Sequence, residues 1–574
     1  MTSQIALFFW TIALLVAHGC ARRESDAIAS RSIGMLDSNL RKILRTFGTL
    51  REIGLRRAVG AIGQTMLFTR ILRAPLTAIF CTCISACGGI TVSSSSVASG
   101  AAQGVPSGSI VGTGANTSTD ASAGGGHGTS GDGTASAPFL KPSWSKHLGQ
   151  GAAQGAAYDP FGNLVVTGDV FGAFDTSVTS EAPPNASCSS PFVSPTAGAG
   201  CDPDGFLASF DPTGRTRWVK RWVGTAVVGP AVTADGHVVF AVSAPTDGGT
   251  PTEKITELDA SGAILWTWDA PPGMRVGWLG AGGNGNVFAI GWQPAQAQEV
   301  VLLTKLDATG SLIWSKTFVG KDRGTIAAVT GDGGIAMLTH LNIGGPVAGS
   351  AASSGVAPLV VAKVGPMGDL LWSRLLRSTG VLQAGGIATD AMGNIVVGGS
   401  FNYSLDLGGP APLAGPTGDS APQPVFVAKY DTSGSYMWSR QYGGVRVFQG
   451  GGPQDLVGGI ATDLAGNIFV TGSFAGAIDF GTGRFATMGN GLSKFFLVEL
   501  DGAGNTTSAT AFGDGRAGSI YFRPPVAVGA SGQIAIAGPF QSTVDFGGGP
   551  FVSPFNGYCQ FGPCSDGFVA AFTR

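Results

Sequence analysis

A short hairpin pattern recurs along most of this chain, and it restricts the possible folds more than any other feature. Seven segments contain an apolar strand, a tight turn with a glycine and a second apolar strand. The turn glycines are Gly162, Gly236, Gly285, Gly333, Gly393, Gly466 and Gly532. Short apolar runs on both sides of a glycine turn are typical of β-hairpins, and their recurrence predicts a repeat architecture.

A second hairpin type lies between these segments, with the pattern Asp-x-x-Gly and a Trp seven residues after the Asp. The copies span residues 211–218, 259–266, 307–314 and 431–438, while 365–372 begins with Gly365 and 501–508 ends with Ser508. Aspartate opens such turns by bonding the backbone ahead of it, and glycine takes the positive φ. We expect the tryptophans to pack between repeats rather than to form a carbohydrate platform; they are Trp144, Trp218, Trp266, Trp314, Trp372 and Trp438.

Two hairpins per repeat give four short strands, and residues 137–574 divide into seven units of roughly 63 residues with fourteen hairpin turns. The last repeat ends at 567–574 without a Trp strand, whereas 138–149 is a Trp strand without a preceding hairpin. We therefore predict an all-β fold. It is a seven-bladed β-propeller of four-stranded antiparallel blades, closed by the N-terminal Trp strand, after a signal segment and a disordered linker.

The repeats resemble the SBBP-like family, the bacterial β-propeller repeat of secreted and surface proteins. Residues 387–440 and 460–501 are most similar to its consensus, which contains Ala-x-Asp-x-x-Gly-Asn, Asp-Phe-Gly-Gly and Phe-Val-Ala-Lys-Tyr-Asp. The second to fourth repeats lack the Asp-Phe-Gly segment. The resemblance implies a propeller fold and carries little information about activity.

Charge is distributed unevenly along the chain. The formal net charge is -2, but residues 1–86 contain 11 Lys and Arg against four Asp and Glu, so the remainder is acidic. Phosphate contacts need clustered basic side chains. The acidic body therefore argues against a nucleic-acid partner.

Residues 66–87 have the layout of a lipoprotein signal segment. Arg70 and Arg73 precede an apolar stretch that ends in residues 84–87, Ile-Ser-Ala-Cys. This ending resembles the lipobox of bacterial lipoproteins, and by that resemblance Cys87 carries lipid and anchors the protein in the cell envelope, at the outer membrane or cell surface. A short transmembrane helix is the alternative, but the apolar stretch is shorter than the ~20 residues that a bilayer needs.

The remaining boundaries follow from this signal segment. Residues 1–65 are interpreted as a non-native upstream extension, with translation starting at Met66 or, as a second choice, at Met35. Cys20 is the alternative anchor, since it also ends an apolar run. Residues 88–137 consist almost entirely of Gly, Ser, Ala and Thr and are predicted to be a flexible linker, and residues 138–574 form the propeller.

The longer connections are expected to form one arc around the ring. They are 340–357, 402–424, 475–493, 541–566 and 172–203. Loops on a rigid scaffold often carry binding residues, so this arc is a candidate surface for an unidentified protein or glycan, and tolerated insertions are the alternative. Of three possible connectivities, short loop closure favours disulfides Cys188–Cys201 and Cys559–Cys564, with zinc as a weaker alternative.

The sequence contains few candidates for catalysis. Its five histidines are dispersed, and Asp159, Asp390 and Asp463 are interpreted as turn-opening residues rather than calcium ligands. We therefore expect a non-enzymatic binding or scaffolding module without a cofactor. The Trp hairpin also resembles the docking motif of quinoprotein propellers, which leaves a quinone-dependent dehydrogenase or an outer-membrane assembly scaffold as the alternative.

Overall fold

The described part of the chain is all-β. The computed structural model describes residues 140–170, 204–244, 252–293, 300–319, 324–341, 359–417, 423–443, 455–487, 493–513, 524–553 and 565–574. Regular secondary structure in these ranges consists of strands, as the sequence predicted. A helix of the length and apolarity needed to span a membrane does not occur in these ranges.

Most strands form four-stranded antiparallel sheets, each made of two successive hairpins. The first sheet contains β1 (Lys141–Tyr158), β2 (Leu164–Val170), β3 (Asp204–Phe210) and β4 (Thr216–Trp222). The second contains β5 (Val227–Val232), β6 (Val238–Ala244), β7 (Thr252–Leu258) and β8 (Ile264–Asp269). The third contains β9 (Arg275–Ala281), β10 (Val287–Gln293), β11 (Val300–Leu306) and β12 (Leu312–Val319). The fourth contains β13 (Ile326–Val329), β14 (Ile335–Thr339), β15 (Leu359–Val364) and β16 (Leu370–Ser378).

Three short hairpins are inserted among the later sheets. The fifth sheet contains β17 (Leu382–Thr389), β18 (Ile395–Phe401), β21 (Val425–Tyr430) and β22 (Tyr436–Tyr442). The hairpin β19 (Ser404–Asp406) and β20 (Leu413–Ala414) follows β18 in the chain but pairs with β16, so it extends the fourth sheet. The sixth contains β23 (Leu456–Thr462), β24 (Ile468–Phe474), β27 (Lys494–Leu500) and β28 (Thr506–Phe512), with the hairpin β25 (Ala477–Asp479) and β26 (Arg484–Ala486). The last contains β29 (Val526–Val528), β30 (Ile534–Phe540) and β33 (Asp566–Thr573), with the hairpin β31 (Thr543–Asp545) and β32 (Pro550–Val552).

Strand β1 belongs to both the first and the last sheet. Its residues 151–158 pair with β2, whereas residues 141–150 pair antiparallel with β33. The last sheet therefore has the order β29-β30-β33-β1, and its outer strand comes from the other end of the described chain. The sequence predicted a separate Trp strand and first hairpin here, and the structure contains one continuous strand instead.

The glycine turns have the geometry expected from the sequence. All seven glycines of the first hairpins have φ between +76° and +85°. Asp390 Oδ1 accepts hydrogen bonds from the amides of Met392 and Asn394, both at 2.9 Å, which is the turn-opening role predicted for it. The last sheet has the glycine turn between β29 and β30 but no turn between its third and fourth strands, because β33 and β1 are far apart in the sequence. The prediction of two turns in every repeat is therefore wrong for this sheet.

The apolar core lies in layers between neighbouring sheets. Val361 of β15 and Val397 of β18 belong to one buried cluster, whereas Val396 of β18 and Val470 of β24 belong to the next. Successive side chains of a strand point to opposite faces, so one sheet contributes to the layers on both of its sides. This double contribution explains why all seven residues of β18 are buried.

One cavity is lined by the first strand of every sheet. Residues of β1, β5, β9, β13, β17 and β23, together with Pro525 and Val526 at the start of β29, surround a volume of about 390 Å³. The backbones of neighbouring first strands approach closely here. A Cβ on Gly155 would lie 1.9 Å from the carbonyl oxygen of Gly229, so the cavity wall at this point requires glycine.

Candidate functional site

Neighbouring sheets are joined by a repeated tryptophan contact, here called the Trp clip. In six outer strands, the indole Nε1 of one Trp donates a hydrogen bond to a backbone carbonyl in the second turn of the next sheet. The pairs are Trp144 to Pro212 (3.2 Å), Trp218 to Ala260 (3.4 Å), Trp266 to Ala308 (3.1 Å), Trp314 to Pro366 (2.9 Å), Trp372 to Thr432 (3.0 Å) and Trp438 to Gly502 (3.1 Å). Packing between repeats, predicted from the sequence, is confirmed for these six residues.

Turn glycines make room for the indole rings. A Cβ on Gly434, which has φ +81°, would lie 2.7 Å from the ring of Trp372. A Cβ on Gly504 would lie 2.8 Å from the ring of Trp438. The same glycine thus allows the left-handed turn and the close approach of the next sheet.

Buried lysines on the third strands add a second connection. Lys429 Nζ lies 2.9 Å from Asp390 Oδ2 in its own sheet and donates to the carbonyl of Gly502 in the next sheet at 3.2 Å. Burial alone raises the pKa of Asp390, but its bonds to Lys429 and Asn394 outweigh burial, so the pKa lies below its usual value. Lys429 therefore fixes one turn in its own sheet and one in the next sheet through a charge that is almost fully buried.

The sixth sheet has a different connection to the last sheet. Ser508 stands in place of Trp, and Glu499 occupies the strand position at which the fifth sheet has its buried lysine. Arg574 supplies the cation, with its Nη2 bonded to Glu499 Oε1 and 3.0 Å from Asp463 Oδ2, and with its guanidinium 5.2 Å from the ring centroid of Phe469. Burial raises the pKa of Glu499, and Arg574 opposes that shift.

The three inserted hairpins lie at what is here called the loop edge. This is the end of the sheets, along the strand direction, that is opposite the glycine turns of the first hairpins. Each inserted hairpin contains one Asp whose Oδ1 accepts a hydrogen bond from a glycine amide two residues later. The pairs are Asp406 with Gly408 (2.8 Å), Asp479 with Gly481 (2.7 Å) and Asp545 with Gly547 (2.7 Å). These are the Asp-x-Gly segments seen in the sequence, which sequence reasoning did not interpret as hairpins.

Buried apolar pairs hold the hairpins on the sheets. The pairs are Leu405 with Leu407, Ile478 with Phe480 and Val544 with Phe546. The second hairpin packs on the preceding sheet, since the Phe480 ring centroid lies 5.1 Å from that of Tyr442 in β22. The buried Tyr430 hydroxyl, whose pKa burial raises, donates to the carbonyl of Leu407 at 2.9 Å. Exposed residues such as Arg484 and Val552 therefore sit on firmly anchored hairpins.

The predicted lipidation and disulfide residues lie outside the described residues. They are Cys87, Cys188, Cys201, Cys559 and Cys564. Of the predicted loop arc, residues 402–417, 475–487 and 541–553 are described, and they contain the three hairpins. Lipidation, disulfide pairing and the predicted domain boundaries remain predictions.

Titratable side chains are dispersed over the described sheets. Within the described ranges, three or more His, Cys, Asp or Glu residues do not come together in an arrangement able to hold a metal ion. His147 Nε2 lies 2.9 Å from Asp566 Oδ2 at the outer part of the last sheet, and His237 Nδ1 lies 2.8 Å from Glu257 Oε1 in the second sheet.

Comparison with known proteins agrees with the repeat architecture. The family model "Beta-propeller repeat" matches residues 438–473, from the Trp clip of the fifth sheet to β24. An uncharacterized WD repeat-containing protein of Acanthamoeba polyphaga mimivirus is 25% identical over 207 residues, which are 31% of this chain and 14% of the viral protein. The chain thus spans a small part of that relative's length, and the match supports a propeller repeat protein.

Solved structures with a similar arrangement share little sequence with this chain. The Dos1 propeller has a TM-score of 0.36 at 9% identity, covering 76% of this chain and 95% of that one. Hydrazine synthase of Kuenenia stuttgartiensis has a TM-score of 0.38 at 10% identity, covering 71% and 95%. A protein of unknown function from Bacteroides caccae has a TM-score of 0.30 at 15% identity, covering 53% and 89%.

Proposed function

We propose that this protein is an exported, lipid-anchored seven-bladed propeller that binds a protein or glycan at the loop edge of its later blades. The ring is supported by the pairing of β1 with β33 and by the cavity that the first strands of all the sheets line together. Trp clips support the same arrangement, because they join six pairs of neighbouring sheets, and Arg574 joins the sixth sheet to the last.

The observation that carries the binding role is the set of three anchored hairpins. Hairpins with buried apolar pairs lose little conformational freedom on binding, so their exposed residues are suited to recognition. They follow the second strands of three consecutive sheets, the fifth, the sixth and the last. The partner surface therefore extends over neighbouring blades rather than a single loop.

Capture of envelope components tests this surface. The variant Arg484→Glu with Val552→Asp alters exposed hairpin positions, and Leu464→Asp alters an exposed position on a glycine turn at the other sheet edge. Purified full-length chains are incubated with envelope extract of the producing cells, and bound components are identified by mass spectrometry. We expect the hairpin variant to lose components that the wild type and the Leu464 variant retain. Equal capture by all three chains contradicts the proposed surface.

The lipid anchor rests on the sequence around Cys87 and is tested separately. The mature membrane-fraction protein is expected to begin at Cys87 with a mass that includes acyl chains, and Cys87→Ser is expected to release the protein from membranes. A Cys87→Ser chain that stays membrane-bound contradicts this anchor. Peptides from residues 21–60 in the mature protein would exclude the start at Met66 and favour Cys20.

A quinone-dependent dehydrogenase is the second candidate, because the Trp hairpins resemble the docking motif of quinoprotein propellers. In this chain the clips join neighbouring sheets, which supports a packing role for them. Reconstitution with a quinone cofactor and calcium distinguishes the candidates. A quinone absorption band with dye reduction supports the enzyme, whereas their absence at saturating cofactor leaves the scaffold.

A further inference from the structure

The wall of the central cavity contains an irregularity that repeats in five of its strands. At this position the first strand has an extra residue relative to its partner, a β-bulge. The bulge residues are Gln154, Gly229 with Pro230, Gly277, Gly385 and Gly458, and all of them line the cavity. Gln154 is the one member of this set with a polar side chain.

Glycine is required at several of these bulges. A Cβ on Gly385 would lie 2.5 Å from Val457, and one on Gly458 would lie 2.6 Å from Pro524. At Gln154 the wall instead admits a long polar side chain, and this side chain is exposed to the cavity. The cavity therefore has one polar projection on a wall that is otherwise backbone and apolar side chains.

Gln154 is bonded to a carboxylate that lacks a cation. Its Nε2 donates to Asp169 Oδ2. Asp169 Oδ1 is buried and has no hydrogen-bond partner, and none of the ion pairs among the described residues includes Asp169. Asp169 lies behind Gln154 and is not itself a lining residue of the cavity. Burial raises the pKa of Asp169, which reflects the cost of an uncompensated negative charge at this place. A positive group in the cavity would offset that cost.

The rest of the wall fits an organic cation. The described lining residues include no Lys, Arg or His, so a cation meets no like charge there. Trp278 also lines the cavity, and indole rings attract cations through the face of their π-system. The volume of about 390 Å³ lies near the lower end of the roughly 300–1,000 Å³ of small-ligand pockets, so the occupant is small.

From these contacts we infer that the cavity binds a small organic cation with a primary ammonium group and an apolar body. The ammonium donates a hydrogen bond to the side-chain oxygen of Gln154, the carboxylate of Asp169 behind it supplies the compensating charge, and the apolar body contacts Trp278 and the aliphatic wall. Asp169 acts as a positioning and electrostatic residue. This site is separate from the loop-edge hairpins and does not depend on the partner proposed for them.

Calorimetric titration of the full chain tests the inference with three probes of one shape: benzylammonium, benzyl alcohol and benzoate. We expect benzylammonium to bind about tenfold or more tightly than benzyl alcohol, since hydrogen bonds to charged groups are stronger than neutral ones. Benzoate is expected not to bind. Equal binding of benzylammonium and benzyl alcohol, or no binding of benzylammonium, overturns the inference.

Three variants assign the recognition to residues. Gln154→Ala and Asp169→Asn are each expected to weaken benzylammonium binding about tenfold. Benzyl alcohol binding is expected to be unchanged in Asp169→Asn and to fall less than benzylammonium binding in Gln154→Ala, which costs it a neutral hydrogen bond only. Asp406→Asn, on a loop-edge hairpin, is the matched control and is expected to bind as the wild type does. Gln154 is exposed, so its variant keeps the test valid if Asp169→Asn does not fold. Unchanged benzylammonium affinity in Gln154→Ala contradicts the assignment.

Discussion

The Trp clip between the fourth and fifth sheets provides a quantitative test of how neighbouring sheets are held together. Gly434→Ala places a Cβ 2.7 Å from the Trp372 ring, on a backbone with φ +81°. The left-handed conformation costs an L-residue ~1–2 kcal/mol. Displacing the indole also removes its 3.0 Å hydrogen bond to Thr432, worth ~0.5–1.5 kcal/mol. The expected destabilisation is therefore about 1.5–3.5 kcal/mol, since both costs are incurred together.

Gly466→Ala is the matched control for the backbone cost. Gly466 occupies a turn of the same type with φ +85°, and a Cβ there meets no atom within 4 Å. Its substitution should cost only the ~1–2 kcal/mol of the left-handed backbone. Trp372→Phe removes the N–H donor and part of the packed ring system, so it should cost at least the ~0.5–1.5 kcal/mol of the hydrogen bond.

Equilibrium urea unfolding of the full chain measures these differences, with circular dichroism following the sheets and fluorescence following the tryptophans. Residues in contact give non-additive effects. Gly434→Ala should therefore cost less in a Trp372→Phe background than in the wild type. If Gly434→Ala and Gly466→Ala destabilise equally, or if the double variant is strictly additive, the clip does not stabilise the sheet contact.

Two further predictions concern charges. Lys429→Met leaves Asp390 buried without its cation and is expected to cost ~3–5 kcal/mol in the same unfolding assay. The control Lys254→Met removes an exposed ion pair and should change stability by less than about 1 kcal/mol. Similar losses in the two variants contradict a stabilising role for the buried Lys429–Asp390 pair. The side-chain hydrogen bond from Thr309 lowers the pKa of Asp307 in the folded protein. The ionised Asp307 therefore stabilises the fold fully above about pH 4, and this stabilisation is lost as the pH falls through the folded-state pKa. Thermal midpoints between pH 7 and pH 3 should therefore fall at the acid end and fall less in Asp307→Asn, and an identical pH profile for that variant refutes this.

Local chemistry made much of the fold predictable. Turns such as Asp390 to Gly393 are fixed by one carboxylate and one glycine, and the alternating apolar residues beside them define the strands. The outer position of the N-terminal Trp strand in the last sheet was also predictable. The last repeat lacks a Trp strand, and the repeat array begins with a Trp strand that has no hairpin before it. These features depend on residues that are close together in the sequence or recur at regular intervals.

The missed features depend on short elements or on distant residues. The inserted hairpins have strands of two or three residues, too short to show a period, and their anchors become recognisable only against the preceding sheet. Arg574 of the last sheet contacts Glu499 and Asp463 of the sixth sheet. The one sequence signal for this contact is Glu in the sixth repeat at the position where the fifth repeat has Lys, which indicates that a cation must come from elsewhere. Gln154 looks like an ordinary strand residue until the bulge and the cavity are known.

The continuous strand β1 has a mechanical consequence. Force transmitted through the residues before Leu140 enters the fold at Lys141, the outer end of the β1–β33 ladder. Tension along the strand axis loads all eight residue pairs of that ladder in shear, and residues 151–158 resist it further through β2. Tension across the strand peels the same pairs one at a time, beginning at Lys141. Pairs loaded in shear must break together, whereas peeled pairs break one at a time. The fold is therefore expected to unfold more slowly under tension along β1 than under tension across it, since forced detachment is governed by an unfolding rate.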